Sequence, residues 1–287
     1  MVIAIPSTIG SCIVPLSQFI DSAMLVNRCV VSGLTHDTAV ETYGVFSGMV
    51  IRLINIPTAL SLAVSMSLVP AISSAWAVQD MDAVQRQTNL GLRFAFLIGL
   101  PCSVGMSVLS EQIFRFFYQG SLSEESIMTG STLLMVSSLT VVLFTVVQAT
   151  SSILQGVRKQ RIPMYTLVAG VVCKIALNYT LVGIPGFNIH GAPISSLVCY
   201  TVSLVPNLYY VMKYTGTKFN WRDWLVRPGI ATLAMGAAVC LMTRILPFSR
   251  LLTIVEVAVG VAVFVVTAIW TKALTKEDLN AFRRKRK

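Results

Sequence analysis

Residues 130–154 read GSTLLMVSSLTVVLFTVVQATSSIL, a continuous stretch without a charged side chain. A helix needs roughly 20 predominantly apolar residues to cross about 30 Å of hydrocarbon, so this stretch is long enough to span a bilayer. Runs of the same kind recur along the whole chain and predict eight transmembrane helices. These helices are expected at residues 3–26, 46–74, 90–110, 130–154, 162–183, 190–212, 228–247 and 250–272.

The composition excludes a soluble globular domain. Hydrophobic residues make up 55% of the chain and charged residues only 12%, against roughly 25% charged residues in ordinary soluble proteins. The mean hydropathy is +0.75, and the short alternating segments typical of outer-membrane barrels are missing from the sequence. Helices also satisfy every backbone polar group in lipid, so the sequence predicts an all-α integral membrane protein.

The basic residues predict the orientation of the chain. If residue 1 is cytoplasmic and the spans alternate, 16 of the 22 lysines and arginines lie on the cytoplasmic side and only 4 lie outside. Lysine and arginine favour cytoplasmic loops, so we expect a multi-pass protein of the cytoplasmic membrane with both termini inside. The tail at residues 283–287 is expected to contact anionic membrane lipids. No basic face with interleaved aromatic residues occurs, so no nucleic-acid partner is predicted.

Two segments have predicted irregularities. The second span, 46–74, contains Pro57 and Pro70, and a proline inside a helix removes a backbone donor; we expect a kink or an early end there. Segment 111–129 contains only a short apolar run at residues 113–118. That run is too short to cross a membrane and is typical of an interfacial helix.

Two basic residues, Arg52 and Lys174, fall inside predicted spans. A charge near the bilayer centre costs about 2.5–3.5 kcal/mol on insertion scales, so such a side chain usually faces a cavity or a partner. Asn55 lies three residues after Arg52, on the same helix face. Arg52 either extends to the outer headgroups or lines a polar cavity and binds an anionic group such as phosphate.

Polar side chains form stripes along two neighbouring spans. Their spacing of three or four residues places them on one face of each helix. In the fifth span these residues are Thr166, Gly170, Lys174 and Asn178, and in the fourth span they are Thr145, Gln148, Ser152 and Gln155. The stripes indicate either a hydrated cavity or polar packing between helices, and the sequence leaves both alternatives open. Under the cavity hypothesis Gln148, Ser152, Lys174 and Asn178 join Arg52 and Asn55 as candidate substrate-binding residues.

The remaining polar residues give little indication of chemistry. Asp21, toward the outer end of the first span, is a weak candidate for ion coupling, although a carboxylate near the interface is more often solvated. His36 and His190 lie far from any cysteine cluster, and the six cysteines are isolated. We therefore predict no metal and no cofactor. The motifs of zinc proteases, serine hydrolases and phosphate-binding loops are missing from the sequence, so no enzyme is predicted.

Six short stretches resemble a known family of membrane transporters. They are residues 51–57, 68–73, 152–156, 159–163, 174–179 and 188–193. Together they resemble the C-terminal half of the polysaccharide biosynthesis and stage V sporulation protein B group. This group includes lipid II flippase-like proteins and belongs to the multidrug/oligosaccharidyl-lipid/polysaccharide exporter superfamily. The likeness runs from about residue 3 to residue 212 and continues more loosely through the last two spans.

The resemblance implies a specific architecture. Such proteins have fourteen helices, arranged as two six-helix lobes and two additional C-terminal helices. Eight spans that end in the cytoplasm fit helices seven to fourteen. The resemblance thus implies a six-helix bundle at residues 1–212, followed at residues 213–287 by two additional helices and a basic cytoplasmic tail.

The resemblance also implies a function. In the lipid II flippases, an arginine in the eighth helix lines the central cavity, is followed by a proline, and is needed for transport. Arg52, followed by Pro57, matches that arginine. The implied activity is translocation of a lipid-linked oligosaccharide or a lipid II-like peptidoglycan precursor, whose anionic sugar head would be the bound group.

The sequence departs from the family in one respect, because the first lobe is missing. The family's cavity lies between the lobes, so this chain alone is not expected to build a complete pathway. It is a truncated product, a gene fragment, or half of a split transporter whose N-terminal lobe is encoded separately, and the position of Met1 favours truncation. Two alternatives remain. One is a multidrug/cation antiporter, which needs a membrane carboxylate such as Asp21 or Glu256, and the other is an inert membrane fragment or scaffold.

Overall fold

The computed structural model of the protein describes the backbone of residues 4–245 and 248–273, and side chains from Ser17 onward. The basic tail at residues 283–287 and Met1 lie outside the described residues. Within these ranges the chain forms α-helices and no β-strand. The helices are α1 (Ala4–Val31), α2 (His36–Gly44), α3 (Ile51–Ala77), α4 (Met81–Val108), α5 (Ser110–Tyr118), α6 (Glu124–Gly156), α7 (Arg161–Leu181), α8 (Gly191–Thr215), α9 (Arg227–Ile245) and α10 (Arg250–Trp270).

The helices confirm the predicted all-α membrane architecture. Among the described residues, seven helical segments are long and apolar enough to cross a membrane, and they coincide with the second to eighth predicted spans. Helix α1, with 28 residues, occupies the position of the first predicted span. The run at residues 113–118 falls within α5, a separate helix of 9 residues, as its length predicted.

The expectation of an early end in the second span is wrong. Helix α3 continues through Pro57 and Pro70 to Ala77, and a single π-helical turn, Val45–Val50, joins it to α2. Prolines are tolerated in membrane helices when other donors satisfy the freed carbonyl groups. The Thr58 hydroxyl, next to Pro57, donates to the carbonyl oxygen of Asn55 at 3.0 Å and adds a polar contact to this part of the helix.

Helix α6 is the centre of the bundle. Its most apolar window is 61% buried, against 17–33% for the other candidate spans among the described residues. It packs against α3, α4, α5 and α8. Small side chains allow this close approach, since Ser137, Ser138 and Thr145 of α6 are all buried. The Thr145 Oγ1 donates to the carbonyl oxygen of Ala95 in α4 at 3.2 Å, so a polar contact fixes the pairing of α4 and α6.

Helices α7 and α8 pack through a glycine. A Cβ atom on Gly170 would lie 2.5 Å from the carbonyl oxygen of Cys199 and 2.5 Å from Ser203 Oγ. Two hydrogen bonds flank this contact: Thr166 Oγ1 donates to Asn207 Oδ1 at 2.8 Å, and Ser203 Oγ donates to the Thr166 carbonyl oxygen at 3.1 Å. Small residues that bring membrane helices together in this way commonly define the helix interface.

Several connections meet at one end of the bundle. The Lys159 ammonium, in the α6–α7 connection, lies 5.0 Å from the centre of the Tyr214 ring near the end of α8. Arg93 of α4 donates through Nε to the Ala273 carbonyl oxygen, just beyond α10, at 3.0 Å. Gly216 follows α8 with a left-handed φ of 67°, a conformation that glycine adopts without strain. The basic connections therefore share one end, as the predicted alternation of spans requires.

The opposite end is joined by two arginines. Arg28, near the end of α1, donates through Nε to the Tyr179 carbonyl oxygen at 2.9 Å, and its guanidinium lies 4.0 Å from the centre of the Tyr179 ring. Arg250, at the start of α10, donates to the carbonyl oxygen of Gln119 at 3.2 Å. These contacts hold α1 against α7 and tie α10 to the segment after α5.

The Gly170 contact predicts a specific loss of stability. Replacing Gly170 with alanine forces α7 away from the α8 backbone, and overpacking of this kind costs about 1–3 kcal/mol. The matched control is Gly229→Ala in α9, where nothing lies within 4 Å of a new Cβ and the higher helix propensity of alanine favours the helix. Thermal unfolding in detergent should show a lower midpoint for Gly170→Ala only. Equal midpoints for the two variants would contradict the α7–α8 contact.

Candidate functional site

A cavity of about 490 Å³ opens between α1, α2, α3, α6, α7 and α8. Its lining combines charged, amide, hydroxyl and aromatic side chains. The polar members include Ser17, Gln18, Asp21, Arg52, Asn55, Thr140 and Lys174, and the aromatic members are Tyr43, Phe46, Phe144 and Tyr200. The structure therefore brings together four residues predicted from the sequence, which are Arg52, Asn55, Lys174 and Asp21.

Arg52 and Asn55 form the α3 side of the cavity. They lie three residues apart on one helix face, and both side chains are exposed to the cavity. Arg52 makes no hydrogen bond or ion pair with any described residue, so its five N–H donors are available to a ligand. Arg52 therefore lines a polar cavity, as one of the two interpretations of this residue requires.

Asp21 and Lys174 form an ion pair between α1 and α7. Their side chains are only 13% and 16% exposed, respectively. Asn178, one turn beyond Lys174, donates through Nδ2 to the other carboxylate oxygen of Asp21 at 2.9 Å and is itself buried. Asn178 thus holds the carboxylate in position and is not among the described residues that line the cavity.

The pair decides the charge of the cavity. Asp21 and Lys174 neutralise each other, which leaves Arg52 as the uncompensated charge among the described lining residues. The cavity therefore carries a net positive charge. Because charged hydrogen bonds strengthen in a site of low dielectric constant, this arrangement favours an anionic ligand.

The stripe on α7 contributes to helix packing and to the cavity, whereas none of the α6 stripe residues is among the described residues that line the cavity. Thr166 and Gly170 pack α7 against α8, and Thr145 packs α6 against α4. Lys174 is the stripe residue that reaches the cavity. Gln148 and Ser152 are not among the described residues that line it; both are half-buried on α6.

Two features of the cavity could not be predicted from the sequence. The Asp21–Lys174 pair joins residues 153 positions apart, so no helical spacing connects them. The aromatic wall includes Phe144 of α6 and Tyr200 of α8, whose ring centres lie 5.1 Å apart. These residues come from separate helices, and only the packing of the bundle brings them together.

Comparison with known proteins identifies the family. A family model described as "Lipid II flippase MurJ" matches residues 43–261. The chain belongs to the lipid II flippase MurJ family. It is 26% identical over 266 residues to lipid II flippase MurJ of Bacillus subtilis (strain 168), an alignment that covers 88% of this chain and 47% of that protein. The resemblance to lipid II flippase-like proteins is thereby confirmed.

Solved structures show the fold of the family. The inward closed conformation of lipid II flippase MurJ matches with a TM-score of 0.63 at 17% identity, covering 83% of this chain and 50% of that one. A MATE protein in the bent conformation matches with a TM-score of 0.61 at 20% identity, covering 84% of this chain and 53% of that one. The chain thus spans about half the length of the proteins it matches. Since the two scores are nearly equal, the fold alone does not separate a MurJ-like from a MATE-like protein.

The buried ion pair generates a testable prediction for this MurJ family member. Lys174→Met leaves the Asp21 carboxylate buried without its partner, which costs about 3 kcal/mol or more of unfolding free energy. The double variant Asp21→Asn/Lys174→Met removes both charges and should regain most of that loss. Chemical unfolding of both single variants, Lys174→Met and Asp21→Asn, and of the double variant measures the coupling between the two residues.

The half-exposed pair Arg227–Asp223 provides the matched control. Arg227→Met should change stability by no more than about 1 kcal/mol, since exposed pairs contribute little. A Lys174→Met variant as stable as Arg227→Met would contradict the role assigned to the buried pair.

Proposed function

We propose that this chain forms the Arg52-lined wall of a pathway that moves a lipid-linked anionic precursor, of the lipid II class, across the cytoplasmic membrane. One observation carries the proposal: Arg52 faces the cavity without an acidic partner among the described residues, while the other cation in the cavity is neutralised by Asp21. A planar guanidinium bonds two phosphate oxygens at once. A pyrophosphate linkage is therefore the chemical group that this site fits.

The cavity volume supports a site that holds only part of the cargo. About 490 Å³ lies in the usual range of roughly 300–1,000 Å³ for small-molecule sites. This space suits part of a polar head, whereas a long polyprenyl tail has to remain in the bilayer. Asn55 beside Arg52 offers both a donor and an acceptor to sugar hydroxyls, and the neutral Asp21–Lys174 pair lines the same cavity from α1 and α7.

The ion pair weakens one form of the antiporter alternative, in which Asp21 is the coupling carboxylate. A cation antiporter needs a carboxylate that accepts the coupling ion, and Asp21 already bonds both Lys174 and Asn178. A coupling ion would have to displace the Lys174 ammonium. Asp21 is better explained as the residue that neutralises Lys174 and joins α1 to α7.

We further propose that a first lobe closes the cavity in the working transporter, whether it is part of the same polypeptide or a separate chain. In transporters built from two repeats the substrate site lies at the interface of the repeats. The matched relatives are about twice as long as the aligned region, which is consistent with a second lobe of similar size. The two-domain division at residue 212 remains a prediction within this proposal.

Substrate binding tests the role of Arg52. The purified chain should bind a fluorescent lipid-linked pyrophosphate sugar, and Arg52→Ala should weaken binding by about tenfold or more, because a charged hydrogen bond contributes roughly 1.5–3 kcal/mol. Arg52→Lys should retain part of the affinity. Arg86, an exposed arginine of α4 outside the cavity, is the control, and Arg86→Ala should bind like the unmodified chain. Equal affinity for Arg52→Ala and Arg86→Ala would refute the proposed site.

Flipping in liposomes tests whether the chain forms a pathway. The same fluorescent lipid should reach the inner leaflet when the chain is reconstituted with a first lobe, and this transport should disappear in Arg52→Ala. Transport by the chain alone, lost in Arg52→Ala, would show that two copies assemble a pathway and that no separate lobe is needed. Binding without transport in either preparation would contradict the flippase proposal.

The orientation is a further prediction of this proposal. The basic connections at one end of the bundle are proposed to be cytoplasmic, which places both termini inside. Alkaline phosphatase, which is active only outside the cytoplasm, should be inactive when fused after Lys287 and active when fused after Pro185, between α7 and α8. The reverse pattern would show that the orientation is inverted.

A further inference from the structure

A second cavity, of about 210 Å³, lies between α5, α9 and α10. It shares no described lining residue with the cavity of Arg52. Oxygen-bearing side chains dominate its wall, and those that the argument uses are Glu111, Gln112, Thr253 and Glu256. The contact between Arg250 and the Gln119 carbonyl oxygen holds α10 beside α5 and so fixes the shape of this cavity.

Glu256 is the unusual residue of the cavity. Residues 253–266 of α10 are otherwise apolar apart from Thr253. The Glu256 residue is only 3% exposed, and its Oε2 atom is buried without a hydrogen-bond partner among the described residues. An ionised carboxylate in such surroundings is costly unless it is paired or binds a metal.

The Glu256 side chain points into the bundle. Its neighbours Val255 and Val257 are 47% and 44% exposed on the outer side of the bundle, while Glu256 points inward to the cavity. It lies six residues after Arg250, or about 9 Å along the helix axis. The carboxylate is therefore part of a protein-lined site and is shielded from solvent and lipid.

The nearby arginine does not neutralise Glu256. Arg115 bonds Glu111 through Nε at 2.9 Å and Glu124 through Nη1 at 2.9 Å. The hydrogen bond to Glu111 raises the pKa of the Arg115 guanidinium, so this group stays charged and committed to its two partners. Among the described residues that line this cavity, the two carboxylates of Glu111 and Glu256 outnumber the one guanidinium of Arg115, and this excess negative charge favours a cation.

We propose that this cavity binds a hard metal cation between Glu256 of α10 and Glu111 of α5. Carboxylate, hydroxyl and amide oxygens are the ligands that sodium, magnesium and calcium ions prefer. Arg115 uses Oε1 of Glu111, which leaves Oε2 for the ion. The Thr253 hydroxyl donates its hydrogen to the Ser249 carbonyl oxygen at 3.1 Å, so its oxygen lone pairs face no competing donor.

The bound ion would join α10 to α5 and so stabilise the end of the bundle. It would bind the Glu256 Oε2 atom, which has no hydrogen-bond partner among the described residues. This inference is independent of the cargo, because neither Arg52 nor the first cavity takes part in it.

Direct ion binding tests the proposal. The purified full chain in choline buffer should bind radioactive sodium or calcium at one ion per chain, with unlabelled magnesium as a competitor. Glu256→Gln, which keeps the shape of the side chain, should abolish binding, and Glu111→Gln should weaken it about tenfold or more. Glu125, an exposed residue of α6 outside the cavity, provides the matched control, and Glu125→Gln should bind like the unmodified chain.

Thermal unfolding separates ion binding from a folding defect. In choline buffer, Glu256→Gln should melt at the same temperature as the unmodified chain or higher, because it removes a buried unpaired charge. A saturating concentration of the bound ion should raise the melting temperature of the unmodified chain and leave that of Glu256→Gln unchanged. If Glu256→Gln does not fold, ion binding by Glu111→Gln tests the proposal instead. The Glu111 side chain is 49% exposed, so its substitution should not prevent folding. The proposal would be overturned if the chain shows no saturable ion binding, or if Glu111→Gln and Glu125→Gln bind the ion equally.

Discussion

The cost of placing a charged side chain away from water governs this structure. Four ionisable residues lie within the predicted spans at positions where that cost is high, and each meets it differently. Asp21 and Lys174 neutralise each other between α1 and α7. Arg52 is exposed to a cavity large enough to hold a ligand. Glu256 is buried beside a second cavity with an oxygen atom that no described residue bonds. The two proposed sites are the places where the protein leaves a charge uncompensated.

The helix packing that creates these sites depends on small and polar contacts. Lipid is as apolar as leucine, so hydrophobicity alone does not choose the partner of a membrane helix. Gly170 brings α7 against α8, and the Thr145 hydroxyl joins α6 to α4. The aromatic wall from α6 and α8 then closes one side of the Arg52 cavity. A change in any of these contacts would alter the shape of the cavity without changing a residue that is proposed to bind the cargo.

The family assignment and the site carry different information. The family model establishes membership of the MurJ family. The fold, however, is nearly as similar to that of a MATE protein as to that of MurJ. The charge of the cavity is what favours an anionic cargo, because Asp21 neutralises Lys174 and leaves Arg52. The proposed function therefore rests on the local arrangement of three charged residues more than on the architecture around them.

The sequence by itself determined the membrane helices, since a run such as residues 130–154 has no other low-energy environment. It also identified Arg52, Asn55, Lys174 and Asp21 as unusual, because polar groups in lipid stand out in any apolar stretch. Only the tertiary structure decided that Asp21 pairs with Lys174 and that Asn178 supports the pair. It also decided that Gln148 and Ser152 stay outside the described cavity lining, and that α3 continues through Pro57 and Pro70. Those outcomes depend on contacts between distant helices, and helical periodicity contains no information about which helices meet.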